Sequence, residues 1–267
     1  MAAGDVLATR WRFIDDGPHR GDANMGRDLA LMDEIREDPA TALPTLRVYA
    51  WDPPCVSLGF HQRTAELDLD RCRALGYDVV RRPTGGRAVL HDREITYSLV
   101  VPESIFGRAT SVIESYRILS QGLIEGLALL GITTRLAPGS EHAGQGGSAA
   151  CFASAARCDL VHGDRKVVGS AQVRRRGVIL QHGSIPLVDR EEAERMAILG
   201  EDAEPITGVT DLTTAAGRTI TYAEAAQALR QGFAGAFGLQ FLEAGFGPAW
   251  CERAEKHAER ALLGRAL

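Results

Sequence analysis

Lysine is almost absent from this chain. Of its 30 basic residues only two are lysines, Lys166 and Lys256, and the rest are arginines. A guanidinium keeps its charge, whereas a desolvated amine can lose its proton and then shuttle protons or attack carbonyls. Lys166, in a glycine-rich polar segment, is therefore a candidate functional amine. The sequence also allows a residual surface charge there, as predicted for Lys256 in a C-terminal helix.

Other absences exclude whole classes of protein. No apolar run approaches the roughly 18 residues of a membrane span, and the first ten residues contain no apolar core of a secretory signal. The net charge of −5 argues against a general nucleic-acid binder. The five cysteines include no CxxC pair, which argues against a structural zinc site and a disulfide framework. We expect a cytoplasmic protein with reduced thiols and without a metal, a membrane or a nucleic-acid partner.

Helical and strand-like patterns are interspersed along the chain without a repeat or a clear linker. Asn24 is predicted to cap a helix that runs to about Glu37, and capping boxes at Ser111–Glu114 and Thr221–Glu224 open two longer ones. Strands are predicted over residues 46–51, 56–60, 77–81 and 95–101, a mobile loop over 138–148, and short strands from 150 to 187. This mixture predicts an α/β (α+β) fold, with residues 1–267 forming one mixed-sheet domain flanked by helices.

The segment Arg81–Asp92 reads RRPTGGRAVLHD and contains the clearest loop signal. Pro83–Gly86 is predicted to form a turn, in which Gly85 and Gly86 let the backbone approach a ligand and expose amide donors. The flanking arginines suit an anionic or carbonyl-bearing ligand. A glycine pair taken alone is more often an ordinary hairpin turn, and the segment matches neither GxxxxGK nor GxGxxG.

Several residues are candidates for chemistry without a spacing that decides among them. Cys151 follows the predicted loop and is a candidate nucleophile, but Cys158 competes for that role and either could be a small buried hydrophobe. His91 and His182 are candidate acid–base groups or structural histidines. The basic run Arg174–Arg176 is either a solvated turn or a docking point for an acidic protein such as a carrier domain.

In combination, these segments resemble the biotin/lipoate protein ligase and lipoyl-transferase superfamily. The resemblance is closest to its cysteine-dependent octanoyltransferases and spans about residues 11–190. The segments that carry it are FIDDGP at 13–18, Arg81–Asp92 with TYS at 96–98, Cys151-Phe152, Lys166 with GSAQ at 169–172, and GVILQHGSI at 177–185.

The resemblance implies a cysteine-dependent acyl transfer without ATP or another cofactor. Cys151 would take an octanoyl group from acyl carrier protein as a thioester, with Lys166 as its partner. It would then pass the group to a lysine of a lipoyl-domain protein such as the glycine-cleavage H protein. The implied substrate-binding residues are Arg82, Thr84, Gly85, Gly86, Arg87, His91, Gly169, Ser170 and Gln172.

Two alternatives remain. An ATP-dependent lipoate–protein ligase would share the fold and the lysine, but such ligases typically read GGGAV where this chain has Gly85-Gly-Arg-Ala-Val89. They also tend to carry Gly-Asn where this chain has Arg93-Glu94. A non-catalytic module that binds acyl carriers would need neither Cys151 nor Lys166.

Overall fold

Two β-sheets organise the part of the chain that the computed structural model describes, residues 9–137, 159–199 and 207–262. In chain order the strands are β1 (Arg10–His19), β2 (Thr45–Trp51), β3 (Cys55–Leu58), β4 (Asp78–Arg81), β5 (Val89–His91), β6 (Glu94–Pro102), β7 (Arg135–Leu136), β8 (Leu160–His162), β9 (Arg165–Arg175), β10 (Val178–Pro186) and β11 (Gln240–Glu243). Over these residues the larger sheet has the order β11-β1-β2-β6-β10-β9-β8-β7 and the smaller one β4-β3-β5. Both sheets mix parallel and antiparallel pairs.

Helices cover both faces of the larger sheet, and α2 and α4 pack against the smaller one. In chain order the helices are α1 (Gly21–Glu37), α2 (Leu69–Ala74), α3 (Val112–Leu129), α4 (Glu191–Glu194), α5 (Leu212–Ala216), α6 (Tyr222–Phe237) and α7 (Pro248–Ala261). Helices α3 and α6 pack on one face, and α1 and α7 on the other. Glycines let α3 and α6 cross closely, because a Cβ on Gly232 would lie 2.1 Å from the backbone nitrogen of Gly126.

The central strand β6 contributes side chains to the hydrophobic core on one face and to a polar region on the other. All of its residues from Glu94 to Val101 are buried, since helices cover both faces. Side chains alternate between the faces of a strand, so Ile95, Tyr97, Leu99 and Val101 pack on the α3–α6 side. Thr96 and Ser98 alternate with them and turn their hydroxyls to Trp51 and Asp28.

Most of the predicted elements are confirmed. The strands predicted at 46–51 and 95–101 lie within one residue of β2 and β6, and the capping box Thr221–Glu224 opens α6. Ser111 caps α3, although the carboxylate of Glu114 turns to Arg108 and does not complete a capping box. The strands expected to be short after residue 150 are wrong in length, because β9 has 11 residues and β10 has 9. The loop predicted at 138–148 lies outside the described residues.

The prediction that Asn24 caps the first helix is wrong. The helix begins at Gly21, and the backbone amide of Asn24 already donates to the carbonyl of Arg20. The side-chain amide of Asn24 instead donates to the carbonyls of His19 and Ala50, at 3.2 and 2.9 Å. Asn24 therefore fastens the start of α1 to the ends of β1 and β2.

A buried ion cluster fixes α1 to the larger sheet. The guanidinium of Arg47 donates to Asp28 at 2.8 Å, to Asp16 at 2.8 Å and to the side-chain oxygen of Asn24 at 2.7 Å. Burial alone would raise the pKa of Asp28, but the charge of Arg47, together with His182 and the hydrogen bond from Ser98, reverses the effect and lowers that pKa. Asp28 is fully buried, so its charge depends on these partners.

Removing Arg47 should be costly because it leaves the fully buried carboxylate of Asp28 without its arginine partner, whereas Asp16 keeps Arg27 at 2.7 Å. We expect Arg47→Met to lower the free energy of unfolding by about 3–5 kcal/mol, measured by urea denaturation at pH 7. Arg218→Met is the control, since Arg218 pairs with Glu224 at an exposed position. A loss in Arg47→Met as small as in the control would contradict the anchoring role.

Candidate active site

A cavity of about 40 Å³ lies between the two sheets. It has room for a few water molecules, so an acyl chain can enter only if lining side chains move. Its walls come from α1, from both sheets and from the loop after β4. The lining residues are Met25, Tyr49, Trp51, Ser57, Arg82, Val89, His91, Thr96, Lys166, Gly169, Ser170, Ala171, His182, Gly183 and Ser184.

Lys166 reaches this cavity from β9 and is almost completely buried. Its ammonium lies 3.0 Å from the carboxylate of Asp159, which is also buried. Asp159 is held in turn, because it accepts a hydrogen bond from the backbone amide of Ser170 at 3.2 Å. By contrast, Lys256 is exposed and pairs with Glu252 on the surface of α7. The interpretation of Lys166 as a residual surface charge is therefore wrong.

Backbone bonds on both sides fix the position of Lys166. Its amide donates to the carbonyl of Gly208, and its carbonyl accepts from the amide of Thr210, both at 2.8 Å. The flexible side chain of Lys166 therefore extends from a backbone that is held on both sides. A buried ion pair on a rigid strand presents the amine to the cavity in one arrangement.

His91 forms the opposite wall, at the end of β5. Its ring stacks on Trp51 with 4.0 Å between centroids. Its Nδ1 lies 2.8 Å from Glu94 and its Nε2 lies 2.8 Å from the hydroxyl of Ser57. These partners fit a neutral ring that donates from Nδ1 and accepts at Nε2.

Charge in this wall is concentrated on Glu94 and Arg190. Burial by itself would raise the pKa of Glu94. The neighbouring His91 and Arg190, with hydrogen bonds from His91 and Ser184, reverse the effect and lower that pKa from 4.5 to about 2. Burial, helped by the charges of Arg190 and Arg82, lowers the pKa of His91 although Glu94 acts to raise it. A neutral His91 leaves Arg190 as the counter-ion of Glu94 near pH 7.

A second buried chain of contacts joins α1 to the loop that follows β4. Nδ1 of His182 lies 3.5 Å from Asp28, and its Nε2 lies 2.7 Å from the hydroxyl of Thr84. His182 belongs to β10, so the central sheet, α1 and the loop meet at one imidazole. Thr84 lies behind the cavity and positions the loop through this contact.

Arg82 is the organising residue of the predicted glycine turn. Its guanidinium donates to the carbonyls of Ser57, Gly85 and Arg87, at 2.8, 2.8 and 2.7 Å. Gly86 has a φ of +96°, which a residue with a side chain rarely adopts. The turn predicted from the glycine pair is confirmed, and the arginine holds it from within.

The predicted site residues other than Gly86, which belongs to the turn described above, divide into four groups. Lys166, Arg82, His91, Gly169 and Ser170 line the cavity. Gly85, Arg87 and Thr84 contact lining residues, whereas Gln172 lies further along β9 and donates to Gln181. Cys151 lies outside the described residues, and the roles assigned to all these residues remain predictions.

Sequence reasoning missed the partners that hold the site. The sequence drew attention to Asp159 only as the last residue of the segment that follows Cys151. Its pairing with Lys166 accompanies a register shift between β8 and β9, which the sequence does not reveal. The other missed residues are Glu94, Arg190 and Ser57. They come together only in the folded chain, and no local sequence pattern indicates their roles.

Within the described residues no helix is long and apolar enough to cross a membrane. No cluster of three or more histidine, cysteine, aspartate or glutamate side chains suited to a metal occurs among the same residues.

The chain belongs to the lipoyl protein ligase A/B catalytic domain family, whose model matches residues 21–234. It is 43% identical over 244 residues to a protein of Kyrpidia tusciae named Octanoyltransferase LipM, covering 86% of this chain and 88% of that protein. It is 42% identical over 266 residues to a protein of the same name from Symbiobacterium thermophilum, covering 95% and 94%.

Solved structures confirm the predicted lipoate-ligase type of α/β fold. A lipoate-protein ligase A bound with ATP superposes with a TM-score of 0.78 at 21% identity, covering 94% of this chain and 95% of that one. A bi-partite lipoate protein ligase from Thermoplasma acidophilum gives 0.73 at 19% identity, covering 95% and 93%. At these identities the likeness concerns the fold alone.

The buried Glu94 should make the site sensitive to acid. Its pKa is about 2 in the folded protein and 4.5 ordinarily, so its stabilising contribution is complete above about 4.5 and is lost as the pH falls toward 2. At pH 7 Glu94→Gln should have a lower free energy of unfolding than wild type. Between pH 4.5 and 2, however, its free energy of unfolding should fall less than that of wild type. The free energy of unfolding from urea titrations at several pH values measures both effects.

The exposed Glu255→Gln in α7 is the control and should follow wild type at every pH. An equally steep loss in Glu94→Gln and wild type would show that other carboxylates determine the acid response.

Proposed function

We propose that this chain is an octanoyltransferase of lipoate biosynthesis, which transfers an octanoyl group to a lysine of a lipoyl-domain protein. The observation that carries the proposal is 42–43% identity, over most of both chains, to relatives named Octanoyltransferase LipM. The buried amine of Lys166 at the cavity agrees with acyl transfer. A module that only binds carriers has no need of such a group.

The proposed reaction has two steps through a cysteine thioester. The thiolate of Cys151 attacks the carbonyl carbon of the donor thioester, the carbon–sulfur bond to the carrier breaks, and the carrier thiolate leaves and takes up a proton. The acceptor lysine amine then attacks the acyl-enzyme, an amide forms, the Cys151 thiolate leaves, and one proton is released. The first step exchanges one thioester for another and the second forms a more stable amide, so neither step needs ATP.

Lys166 has two roles in this proposal. Its ammonium would favour the thiolate of Cys151 by charge attraction. The ammonium would also give a proton to the departing carrier thiolate, and the neutral amine left behind would accept one from the incoming lysine in the second step. The pairing of Lys166 with Asp159 at 3.0 Å supports this assignment, because it keeps the amine in place at the cavity.

The proposed donor is octanoyl-acyl carrier protein, and the proposed acceptor is a lipoyl-domain protein such as the glycine-cleavage H protein. The T. acidophilum structure describes a lipoate protein ligase together with its E2 lipoyl domain, which supports this class of acceptor. We propose a cytoplasmic location, where both partners would be available and the thiol would stay reduced.

A lipoate–protein ligase is the second candidate, because a related fold was solved with ATP bound. The two functions differ in what they consume. A transferase forms an acyl-enzyme from octanoyl carrier protein without ATP, whereas a ligase needs free acid and ATP. Intact-protein mass spectrometry of the full chain with each set of reactants distinguishes them.

The same mass measurement tests the nucleophile. Cys151→Ala should gain no octanoyl adduct and should not modify a lipoyl domain, because no thiolate remains to attack the thioester. Cys158→Ala should retain most of both activities. An inactive Cys158→Ala beside an active Cys151→Ala would reverse the assignment.

A substitution of Lys166 tests whether the amine must exchange a proton. Lys166→Arg keeps the charge that favours the thiolate, so an acyl-enzyme should still form slowly. Transfer to a lipoyl domain should fall by about 10²–10⁴-fold, because a guanidinium cannot accept the proton. Single-turnover kinetics measure the two steps separately.

The matched control is Lys256→Arg, at the exposed lysine of α7. A thermal melt shows whether the larger side chain disturbs the buried position of Lys166. Near-wild-type transfer by a folded Lys166→Arg would show that the position supplies charge only.

A further inference from the structure

A groove of about 460 Å³ lies on the α1–α7 side of the larger sheet. Its walls are α1, the end of α7, the start of the loop after β4 and the turn between β9 and β10. Arg82 lines both this groove and the smaller cavity that holds Lys166, so the two spaces adjoin. The groove is therefore a surface beside the proposed acyl site and is not part of that site.

Positive charge is concentrated in this groove although the chain carries a net charge of −5. Its acidic lining residue, Asp33, is neutralised by Arg36 at 2.9 Å and by His257 at 2.8 Å if that ring is protonated. The arginines that line the groove are Arg36, Arg81, Arg82, Arg175, Arg176 and Arg260. Such a concave cationic surface attracts an anionic group and raises its local concentration.

The arginines divide into those that build the wall and those that face solvent. Arg81 donates to the carbonyls of Gly59 and Gln62 at 2.9 and 2.6 Å, and thereby shapes the loop. Arg175, Arg176 and Arg260 are exposed, and among the described residues no carboxylate lies within 4 Å of their guanidinium groups.

The exposed arginines are presented at the rim of the groove. Arg175 lies over the ring of Phe60, which is 45% exposed, with 5.0 Å to the ring centroid. Arg176 occupies the β9–β10 turn with a φ of 51°. Arg174, which belongs to the same basic run, instead donates to the carbonyls of Thr110 and Ser111. The run is thus split between a structural residue and two exposed residues that a ligand can reach, of which Arg175 also donates to the carbonyl of Pro83 at 3.4 Å.

We propose that this groove binds the acyl donor, specifically the phosphate-bearing arm of an acyl carrier protein at its attachment to the acidic face of that protein. The inference rests on the proposed function and adds where the donor docks. Arginine forks match phosphate oxygens, and the groove adjoins the cavity of Lys166 at Arg82, which lines both. The acceptor is the poorer occupant, because it brings a lysine amine that the arginines would repel.

The test compares two donors on a charge-reversed enzyme. Two variants are compared, the double variant Arg175→Glu/Arg176→Glu and the single variant Arg260→Glu. Each places a negative charge against the negatively charged donor phosphate. With octanoyl carrier protein as donor, KM should rise roughly tenfold or more at low salt with little change in kcat, and the defect should shrink as ionic strength increases. With octanoyl-N-acetylcysteamine, a short thioester without a phosphate, acyl-enzyme formation should be unchanged.

Arg117→Glu is the matched control, since Arg117 is an exposed arginine of α3 on the opposite face of the sheet. This variant should use both donors like wild type. Transfer from the preformed acyl-enzyme to a lipoyl domain should also be unchanged in the groove variants.

Each contrary outcome is distinguishable. Equal loss with both donors, or no loss with either, would overturn the docking proposal while leaving octanoyl transfer intact. A defect confined to the second step would assign the groove to the acceptor. If wild type forms no acyl-enzyme from either donor, the proposed function itself is wrong and the docking proposal fails with it.

Discussion

The buried pair of Asp28 and Arg47 is the interaction on which the rest of the structure depends. Arg47 fixes α1 to β2, and Asp28 also accepts from Ser98 at 2.8 Å and faces His182 at 3.5 Å. His182 in turn contacts Thr84 in the glycine turn. One carboxylate therefore links a covering helix, the central strands and a wall of the candidate site. Its desolvation is costly, so the pair is stable only if all these partners are in place.

The same logic explains why so many polar side chains are buried near the cavity. Helices cover the central strands on both faces, so fully apolar strands would fill the space between sheet and helices with hydrophobic contacts alone. Hydroxyls of β6 and β10 instead donate to the carboxylates of Glu94 and Asp28 and help to keep them charged. Such a network, when every member is paired, holds its side chains in one arrangement. A preorganised polar wall suits a reaction in which charge develops on a carbonyl oxygen.

The sequence could predict the elements with a local signal and could not predict the pairings between distant ones. The alternation of apolar and polar residues predicted β6, and the capping box predicted the start of α6. The scarcity of lysine marked Lys166 as a candidate functional residue. The partner of Lys166 is Asp159, seven residues earlier, and the pairing requires a hairpin register that no local pattern specifies. Arg82 appeared to be a ligand-binding cation, yet most of its donors are directed to its own loop. Asn24 satisfied the preference for a cap, but carbonyls of β1 and β2 offered its amide better-placed partners.

The choice between the two basic side chains follows from what each buried position requires. Arg47 makes four hydrogen bonds and Arg82 makes at least five, whereas an ammonium has only three N–H donors. Arg190 likewise joins Glu94 and Ser184. A guanidinium would also have served for a simple ion pair with Asp159. In a chain that uses arginine for its buried structural charges, a buried lysine is explained best by the one property that arginine lacks, a proton that it can give up and take back.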